Sequence, residues 1–143
     1  MGELVATLER GAHLIGRYLD STVADLGITQ GEAHVLAQVG RNGPTAIAAL
    51  HHEFGHKRST LTNILDRLER RKLVRRQLNP NDRRSFVVHL TASGQTAAGR
   101  VTRAIDELER EVAMLSRERD LAGVEAVVRS LERVGSAAGE VDK

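Results

Sequence analysis

The most distinctive chemistry in this 143-residue sequence is a cluster of cationic side chains near its middle. Residues 56–84 contain ten Lys or Arg and three acidic residues, so this segment carries +7, whereas the whole chain carries only +2. The cationic residues are Lys57, Arg58, Arg67, Arg70, Arg71, Lys72, Arg75, Arg76, Arg83 and Arg84. Because guanidinium and ammonium groups at this density bind phosphates, the cluster predicts a polyanionic partner.

Other kinds of reactive chemistry are poorly represented. The absence of cysteine excludes disulfides, thiolate metal sites, cysteine nucleophiles and thiol redox sensing by this chain. There is no Gly-rich phosphate loop, nucleophile elbow or metal-ligand motif, so we expect neither an enzyme nor a bound cofactor. His51, His52 and His56 are close in sequence, but they should straddle a helix end, and zinc needs three or four converging ligands. We therefore expect no metal site.

The basic cluster begins with the pattern of an amphipathic helix over residues 57–71. Four apolar residues at steps of three and four predict one buried stripe: Leu61, Ile64, Leu65 and Leu68. Short polar residues repeat at the same spacing on another face: Ser59, Thr62, Asn63 and Asp66. Short hydrogen-bonding side chains let a helix approach base edges, and arginines at its margins reach phosphates. This segment is therefore a candidate DNA-reading helix.

Two runs of alternating residues follow, at 74–78 and 86–90, and a polar Asn79-Pro80-Asn81-Asp82 sequence connects them. Such a pattern predicts a β-hairpin. We expect its loop to be longer than a two-residue turn and to carry Arg83 and Arg84 near the tip. Guanidinium groups at a hairpin tip suit the minor groove, where the potential of DNA is most negative.

Short helical segments precede the cluster, and long ones flank it. Thr29 can cap a helix to about Val39, and after a turn at 41–44 Thr45 can cap another that ends near residue 55. We expect flanking helices at 3–23 and over 92–134, where Thr91 caps the first of two segments. Their apolar stripes, including a heptad seam, exceed what one small lobe can cover, which indicates a homodimer.

These elements together predict a mainly α protein with a small β-hairpin wing. A winged helix-turn-helix lobe at 29–91 would lie between dimerisation helices at 3–23 and 92–134, all in one domain of residues 1–135 with a flexible tail at 136–143. The acidic, amphipathic N-terminus is unlike a signal peptide, and no apolar run approaches the roughly 20 residues of a membrane span. We therefore expect a cytoplasmic protein.

The sequence resembles the MarR family of bacterial winged-helix regulators over nearly its whole length. DRRSFVVHLTASG at 82–94 matches the family's wing pattern of Asp-x-Arg, an alternating strand and Leu-Thr-x-x-Gly. STLTNILDRLERRKLVRR at 59–76 resembles its recognition helix and the basic exit into the wing. The chain departs from the family at His51, at His56 and at Lys57, which replaces the usual capping hydroxyl.

The resemblance implies particular roles for residues in the cluster. Arg84 would be the minor-groove arginine, and Asp82 the acid that braces the wing. Together with the basic pattern, it places the DNA contacts of the recognition helix at Lys57, Arg58, Ser59, Thr60, Thr62, Asn63 and Arg67. Those of the wing are Arg75, Arg83 and Arg84. The expected function is that of a ligand-responsive repressor that binds a pseudo-palindromic operator in double-stranded DNA.

Members of this family usually release DNA when a small, often aromatic or phenolic, anion binds between the dimer helices and the DNA-binding lobe. His13, Arg17, Tyr18 and His34 lie on the first two predicted helices, where that pocket is usually found. The alternative role for these four residues is hydrogen bonding within the dimer interface, and the sequence favours neither role. For the chain as a whole, the alternative function is a helical protein-interaction scaffold without specific DNA readout, and double-stranded RNA is a less favoured partner.

Overall fold

The structure is a computed structural model that describes residues 2–54 and 58–139. The chain divides into two compact units, Met1–Ile105 and Asp106–Lys143. The helices are α1 (Leu4–Thr22), α2 (Gln30–Asn42), α3 (Ile47–Phe54), α4 (Arg58–Arg70), α5 (Ala92–Leu115) and α6 (Glu118–Gly139). The strands are β1 (Thr45–Ala46), β2 (Val74–Asn79) and β3 (Asp82–Leu90). This mainly helical fold with a small antiparallel sheet confirms the predicted fold class.

The core of the first unit lies between α4, α2 and the sheet. The predicted stripe of α4 is buried, and it packs with Val35, Leu36 and Val39 of α2 and with Val74 and Val88 of the hairpin. Each such side chain contributes about 1.5–3 kcal/mol when it is removed from water. Burial of this stripe holds the helix in one rotational setting and leaves its polar face exposed.

The start of α2 agrees with the sequence, but its end and the start of α3 do not. The Thr29 hydroxyl accepts a hydrogen bond from the backbone N–H of Glu32, so Thr29 is the predicted N-cap. The helix continues to Asn42, three residues beyond the predicted Val39, and Gly43 with φ of 74° ends it. A positive φ at this point costs glycine nothing, because it has no Cβ.

Thr45 was predicted to be a helix cap, and that prediction is wrong. Thr45 lies in β1, opposite Val88 of β3, and its hydroxyl donates to the Gly43 carbonyl over 2.7 Å. The sheet therefore has three strands in the order β1-β3-β2 rather than two. Backbone pairing with the free edge of β3 outweighs the local capping preference, because the extended conformation of Thr45 satisfies backbone groups of both segments.

The hairpin agrees with prediction except at its tip. β2 and β3 are joined only by Pro80 and Asn81, so the prediction of a longer loop is wrong. The register shifts from Leu78 opposite Phe86 to Asn79 opposite Asp82. Three residues of β3, 83–85, consequently have no partner on β2 and form a bulge. Irregular pairing in β3, not the length of the turn, separates the two arginines from the regular ladder.

The junction between β3 and α5 explains the Thr-x-x-Gly part of the sequence motif. The Thr91 hydroxyl donates to the Lys72 carbonyl over 2.7 Å and accepts a hydrogen bond from the Gly94 N–H over 3.0 Å, as expected for the predicted cap. A Cβ on Gly94 would lie 1.8 Å from the Leu73 carbonyl oxygen. Only glycine therefore allows α5 to start this close to the root of the hairpin.

The second unit contains the C-terminal end of α5 and all of α6. Helix α6 begins near the predicted residue, but it continues to Gly139, so the first residues of the predicted tail at 136–143 are helical. Residues 140–143 lie outside the described part. Four apolar residues on α6 are 39–54% exposed: Leu121, Val124, Val128 and Leu131. None of the helices in the described ranges has the length and apolar character that crossing a membrane requires.

Candidate nucleic-acid interface

The exposed face of α4 carries the polar residues that the sequence assigned to DNA. Ser59, Thr60, Thr62 and Asn63 are all exposed, while the apolar stripe beside them is buried. They form a surface of short hydrogen-bonding groups without bulky side chains. Lys57 and the side chain of Arg58, the other residues predicted for this end of the helix, lie outside the described residues.

Arg67, also predicted to contact DNA, forms an ion pair with another helix of the lobe. Its Nε donates to the Oε1 atom of Glu32 over 2.8 Å, and the Glu32 side chain is only 4% exposed. Arg71 approaches the other Glu32 oxygen at 3.8 Å and donates to the carbonyls of Leu26 and Gly27. Because a buried carboxylate requires a partner, these two arginines tie α4 to the start of α2.

Arg76 of β2 joins the hairpin to α4. It donates to Asp66 over 2.8 Å and to Glu69 over 2.7 Å, two residues on neighbouring turns of the helix. Burial by itself would lower the pKa of Arg76, but its hydrogen bonds and charge interactions with the two carboxylates raise the pKa above the ordinary value. This bridge orients the wing relative to α4. It was not predicted from the sequence, although the three-residue spacing of Asp66 and Glu69 on one helix face is a visible signal.

The bulge of the wing is held by hydrogen bonds to the backbone. The Asp82 carboxylate accepts from the Arg84 backbone N–H over 3.0 Å, and the Ser85 hydroxyl donates to the Asp82 carbonyl over 3.2 Å. Asp82 thus makes the contact that a bracing role requires, through the main chain of Arg84. Arg83 and Arg84 are exposed, and neither side chain has a carboxylate partner within residues 2–54 and 58–139.

Arg75, the remaining wing residue, lies on the other face of the hairpin. It is directly opposite His89 in the β2–β3 pairing and lines a cleft of about 870 Å³. The far wall of this cleft belongs to the N-terminal part of α5. Alternation along the strand places Arg75 and Arg76 on opposite faces, so the structure separates Arg75 from α4.

The residues predicted for an effector pocket have different surroundings. His13 and Arg17 are exposed on α1, whereas Tyr18 packs against a buried cluster that includes Leu19 and Val101. The centroid of the His34 ring lies 6.2 Å from the centroid of the Phe54 ring on α3. None of these four predicted residues lines the cleft that contains Arg75. The effector site at these positions stays a prediction.

Two of the three neighbouring histidines lie on α3, and His56 falls outside the described residues. The Nδ1 atom of His51 is buried and has no hydrogen-bond partner in the described part of the chain, and His52 is exposed. Within that same part, no group of three His, Asp or Glu side chains is arranged to hold a metal ion.

The polar face of α4 and the bulge of the wing are both exposed, and their chemistry suits a double-stranded nucleic acid. Short polar groups on a helix can hydrogen-bond to base edges, and exposed guanidinium groups can bind phosphates or enter a narrow groove. Arg67 and Arg76 have a structural role, because their ion pairs fix the orientation of α4 relative to α2 and β2.

Comparisons with known proteins agree with this geometry. Residues 28–86 match the model of the MarR family. The HTH-type transcriptional regulator PecS of Dickeya dadantii (strain 3937) is 32% identical over 133 residues, which cover 91% of this chain and 80% of that protein.

Solved structures share the whole fold at lower sequence identity. The transcription regulator MarR from Oenococcus oeni PSU-1 has a TM-score of 0.80 with 19% identity, over 91% of this chain and 98% of its own. The S. aureus MepR–DNA complex has a TM-score of 0.78 with 20% identity, over 92% of this chain and 97% of its own. At these identities the structural likeness establishes the fold.

Proposed function

The chain belongs to the MarR family of winged helix-turn-helix transcriptional regulators, and we propose that it acts as a homodimeric repressor that binds a pseudo-palindromic operator in double-stranded DNA. The observation that carries this proposal is the pairing of two surfaces on one lobe. The exposed polar face of α4 lies beside a wing whose bulge carries Arg83 and Arg84 without carboxylate partners in the described residues. One surface suits the major groove, and the other suits the minor groove.

The relatives support the same function. Curated homologues that match much of the chain are named transcriptional regulators, and one structural relative was solved in complex with DNA. The individual DNA contacts are part of the proposal. In the major groove, bases or phosphates are contacted by Ser59, Thr60, Thr62 and Asn63. Arg84 enters the minor groove, and Asp82 holds the bulge that carries it.

The dimeric state is supported by apolar side chains that this chain leaves uncovered. On α1, Leu4 and Ile15 are 46% and 43% exposed, and the α6 stripe is exposed to a similar extent. Large apolar side chains exposed along one face of a helix are typical of interaction surfaces. A second copy presents the same stripes, so two-fold association covers both and presents two recognition helices to one operator.

Selection of bound fragments from random double-stranded DNA tests the central proposal. The full chain should enrich an inverted repeat with half-sites about 10–10.5 bp apart, centre to centre. Log K should also fall steeply with log salt concentration, because bound phosphates release counterions. No enriched motif together with a flat salt response would instead support the interaction scaffold.

Two further parts of the proposal have their own tests. Light scattering at micromolar concentration should give the mass of a dimer, and a stable monomer would contradict the symmetric operator. We also propose that a small aromatic or phenolic anion releases the operator. A thermal-shift screen with aromatic carboxylates should find ligands that raise Tm and also weaken operator binding. A ligand that raises Tm but leaves the affinity for the operator unchanged would not be the releasing effector.

A further inference from the structure

The cleft behind the root of the wing is a second basic feature, separate from the DNA-facing surface. It has a volume of about 870 Å³ and is lined by the end of α2, the root of the hairpin and the N-terminal part of α5. That volume lies within the range of about 300–1,000 Å³ typical of small-molecule sites. All of its lining residues belong to the first unit.

One wall of this cleft carries a pair of nitrogen-bearing side chains. Arg75 and His89 face each other across β2 and β3, so their Cβ atoms are about 4.5–5.5 Å apart. Both side chains line the cleft, and neither forms an ion pair with any described residue. The hairpin therefore offers several N–H donors within reach of one acidic group.

The opposite wall, on α5, has complementary donors. Arg103 lines it together with the hydroxyl groups of Thr96 and Thr102, and Arg41 lies at the rim formed by α2. No Asp or Glu lines the cleft, although the chain has 19 acidic residues. Arg75 and Arg103 lie on facing walls of a cleft that no carboxylate lines, so this arrangement selects an anion with acidic groups at both ends.

From this arrangement we propose that the cleft binds a small organic anion with two acidic groups, either a dicarboxylate or a phosphorylated compound. One acidic group is held by Arg75 and His89, and the other by Arg103. The site is distinct from the α1 and α2 positions His13, Arg17, Tyr18 and His34, and binding there does not require DNA. Arg75 therefore serves this cleft rather than the operator.

Gly99 offers a way to close the cleft without touching the DNA-facing surface. It lines the cleft, and a Cβ built on it meets no atom within 4 Å, so a side chain there extends into open space. Gly99→Phe should fill the site, and Gly99→Ala should leave it open. Arg103→Ala removes a cation from the cleft, whereas Arg110→Ala removes an exposed arginine two turns farther along the same helix.

The test measures Tm of the full chain, without DNA, at fixed protein concentration and ionic strength. Succinate and pyrophosphate are the probes, acetate is the control, and circular dichroism verifies that each variant is folded. At about ten times Kd, at least one probe should raise Tm by roughly 3–6 °C for wild type, Gly99→Ala and Arg110→Ala. The rise should disappear in Gly99→Phe and Arg103→Ala, and if Gly99→Phe fails to fold, Arg75→Ala replaces it.

Comparing the probes shows whether the site prefers carboxylates or phosphates. The proposal is wrong if acetate raises Tm as much as the probes do, or if neither probe raises Tm. It is also wrong if the increase in Tm survives in both Arg103→Ala and Gly99→Phe.

A final measurement uses random-sequence duplex DNA without the probes. Arg103→Ala should bind it within about two-fold of wild type, because a phosphate contact there would reduce binding at all sequences. A loss as large as that of Arg84→Ala would make the cleft part of the DNA surface and would also overturn the proposal.

Discussion

Five arginines of the basic segment form two groups that look alike in sequence and differ in structure. Arg67, Arg71 and Arg76 are tied to acidic or carbonyl groups of the lobe, whereas Arg83 and Arg84 extend from a bulge without such partners in the described residues. The first set builds the lobe, and the second set is available to a polyanion. Charge density therefore predicts that a DNA-binding surface exists, but it does not predict which cations form it.

The largest expected effect comes from breaking the internal set. Arg67→Ala should lower the free energy of unfolding by about 2 kcal/mol, because buried Glu32 then keeps only the more distant Arg71. This loss of stability is smaller than that for a fully buried ion pair, because the Arg67 side chain is 44% exposed. Urea unfolding measures the loss.

A matched double variant separates this structural role from DNA binding. In the Arg67→Ala background, Glu32→Gln should recover part of the lost stability, since a neutral amide is less costly to bury than an unpaired carboxylate. Wild-type stability in the single variant, combined with weaker DNA binding, would show that Arg67 contacts DNA and does not stabilise the lobe.

The exposed set should behave in the opposite way. Arg84→Ala should weaken binding to operator and to random duplex by roughly 30-fold, about 2 kcal/mol, and should leave stability within about 0.5 kcal/mol of wild type. Fluorescence anisotropy over a range of salt concentrations measures both the loss and a shallower salt slope. Arg133→Ala, which removes an exposed arginine of α6, is the control. Equal affinities for wild type and Arg84→Ala would show that exposure on the wing is insufficient for DNA contact.

The polar face of α4 should determine sequence preference, whereas Arg84 should contribute affinity for any sequence. Asn63→Ala should reduce discrimination at one operator position on the order of 10-fold, with little change on random duplex. Competition between operators that differ at single positions measures this effect. If operator and random DNA lose affinity equally, Asn63 contacts phosphate instead of a base.

The smallest expected effect belongs to an ion pair outside the basic segment. Arg100 donates to Asp25, and this hydrogen bond holds the pKa of the Asp25 carboxyl below its usual value. A carboxyl with a lowered pKa stabilises the folded state above its unfolded pKa, and that contribution disappears as pH falls through the folded pKa.

Urea midpoints at several pH values test the sign of this contribution. Wild type should be slightly more stable than Asp25→Asn at pH 7, and the difference should shrink below about pH 4, where the unfolded carboxyl is protonated. Because Asp25 is exposed, the difference should also decrease in high salt. A gap that grows on acidification would reverse the assigned role of the pair.

Much of the lobe could be predicted because its signals are local. The spacing of Leu61, Ile64, Leu65 and Leu68 defines the buried face of α4, and capping chemistry at Thr29 and Thr91 marks two helix starts. Thr45 carries the same capping chemistry but lies in a strand, because pairing with the distant Val88 overrides the local preference. The polar candidates on α4 are exposed as expected, and the Arg67 side chain, which is also partly exposed, pairs with Glu32, 35 positions earlier in the chain.

By itself, the sequence determined the helices and the β2–β3 hairpin, which face of α4 is buried and that cations are concentrated around residues 56–84, since these depend on periodicity, capping and composition. Strand β1 was not among them, because it forms only by pairing with the distant β3. Only the tertiary structure decided which arginines are neutralised, how the bulge presents Arg83 and Arg84, and that Arg75 and Arg103 share a cleft. Ion pairing and enclosure depend on distances of a few ångströms between residues far apart in the chain, and a linear pattern contains no record of those distances.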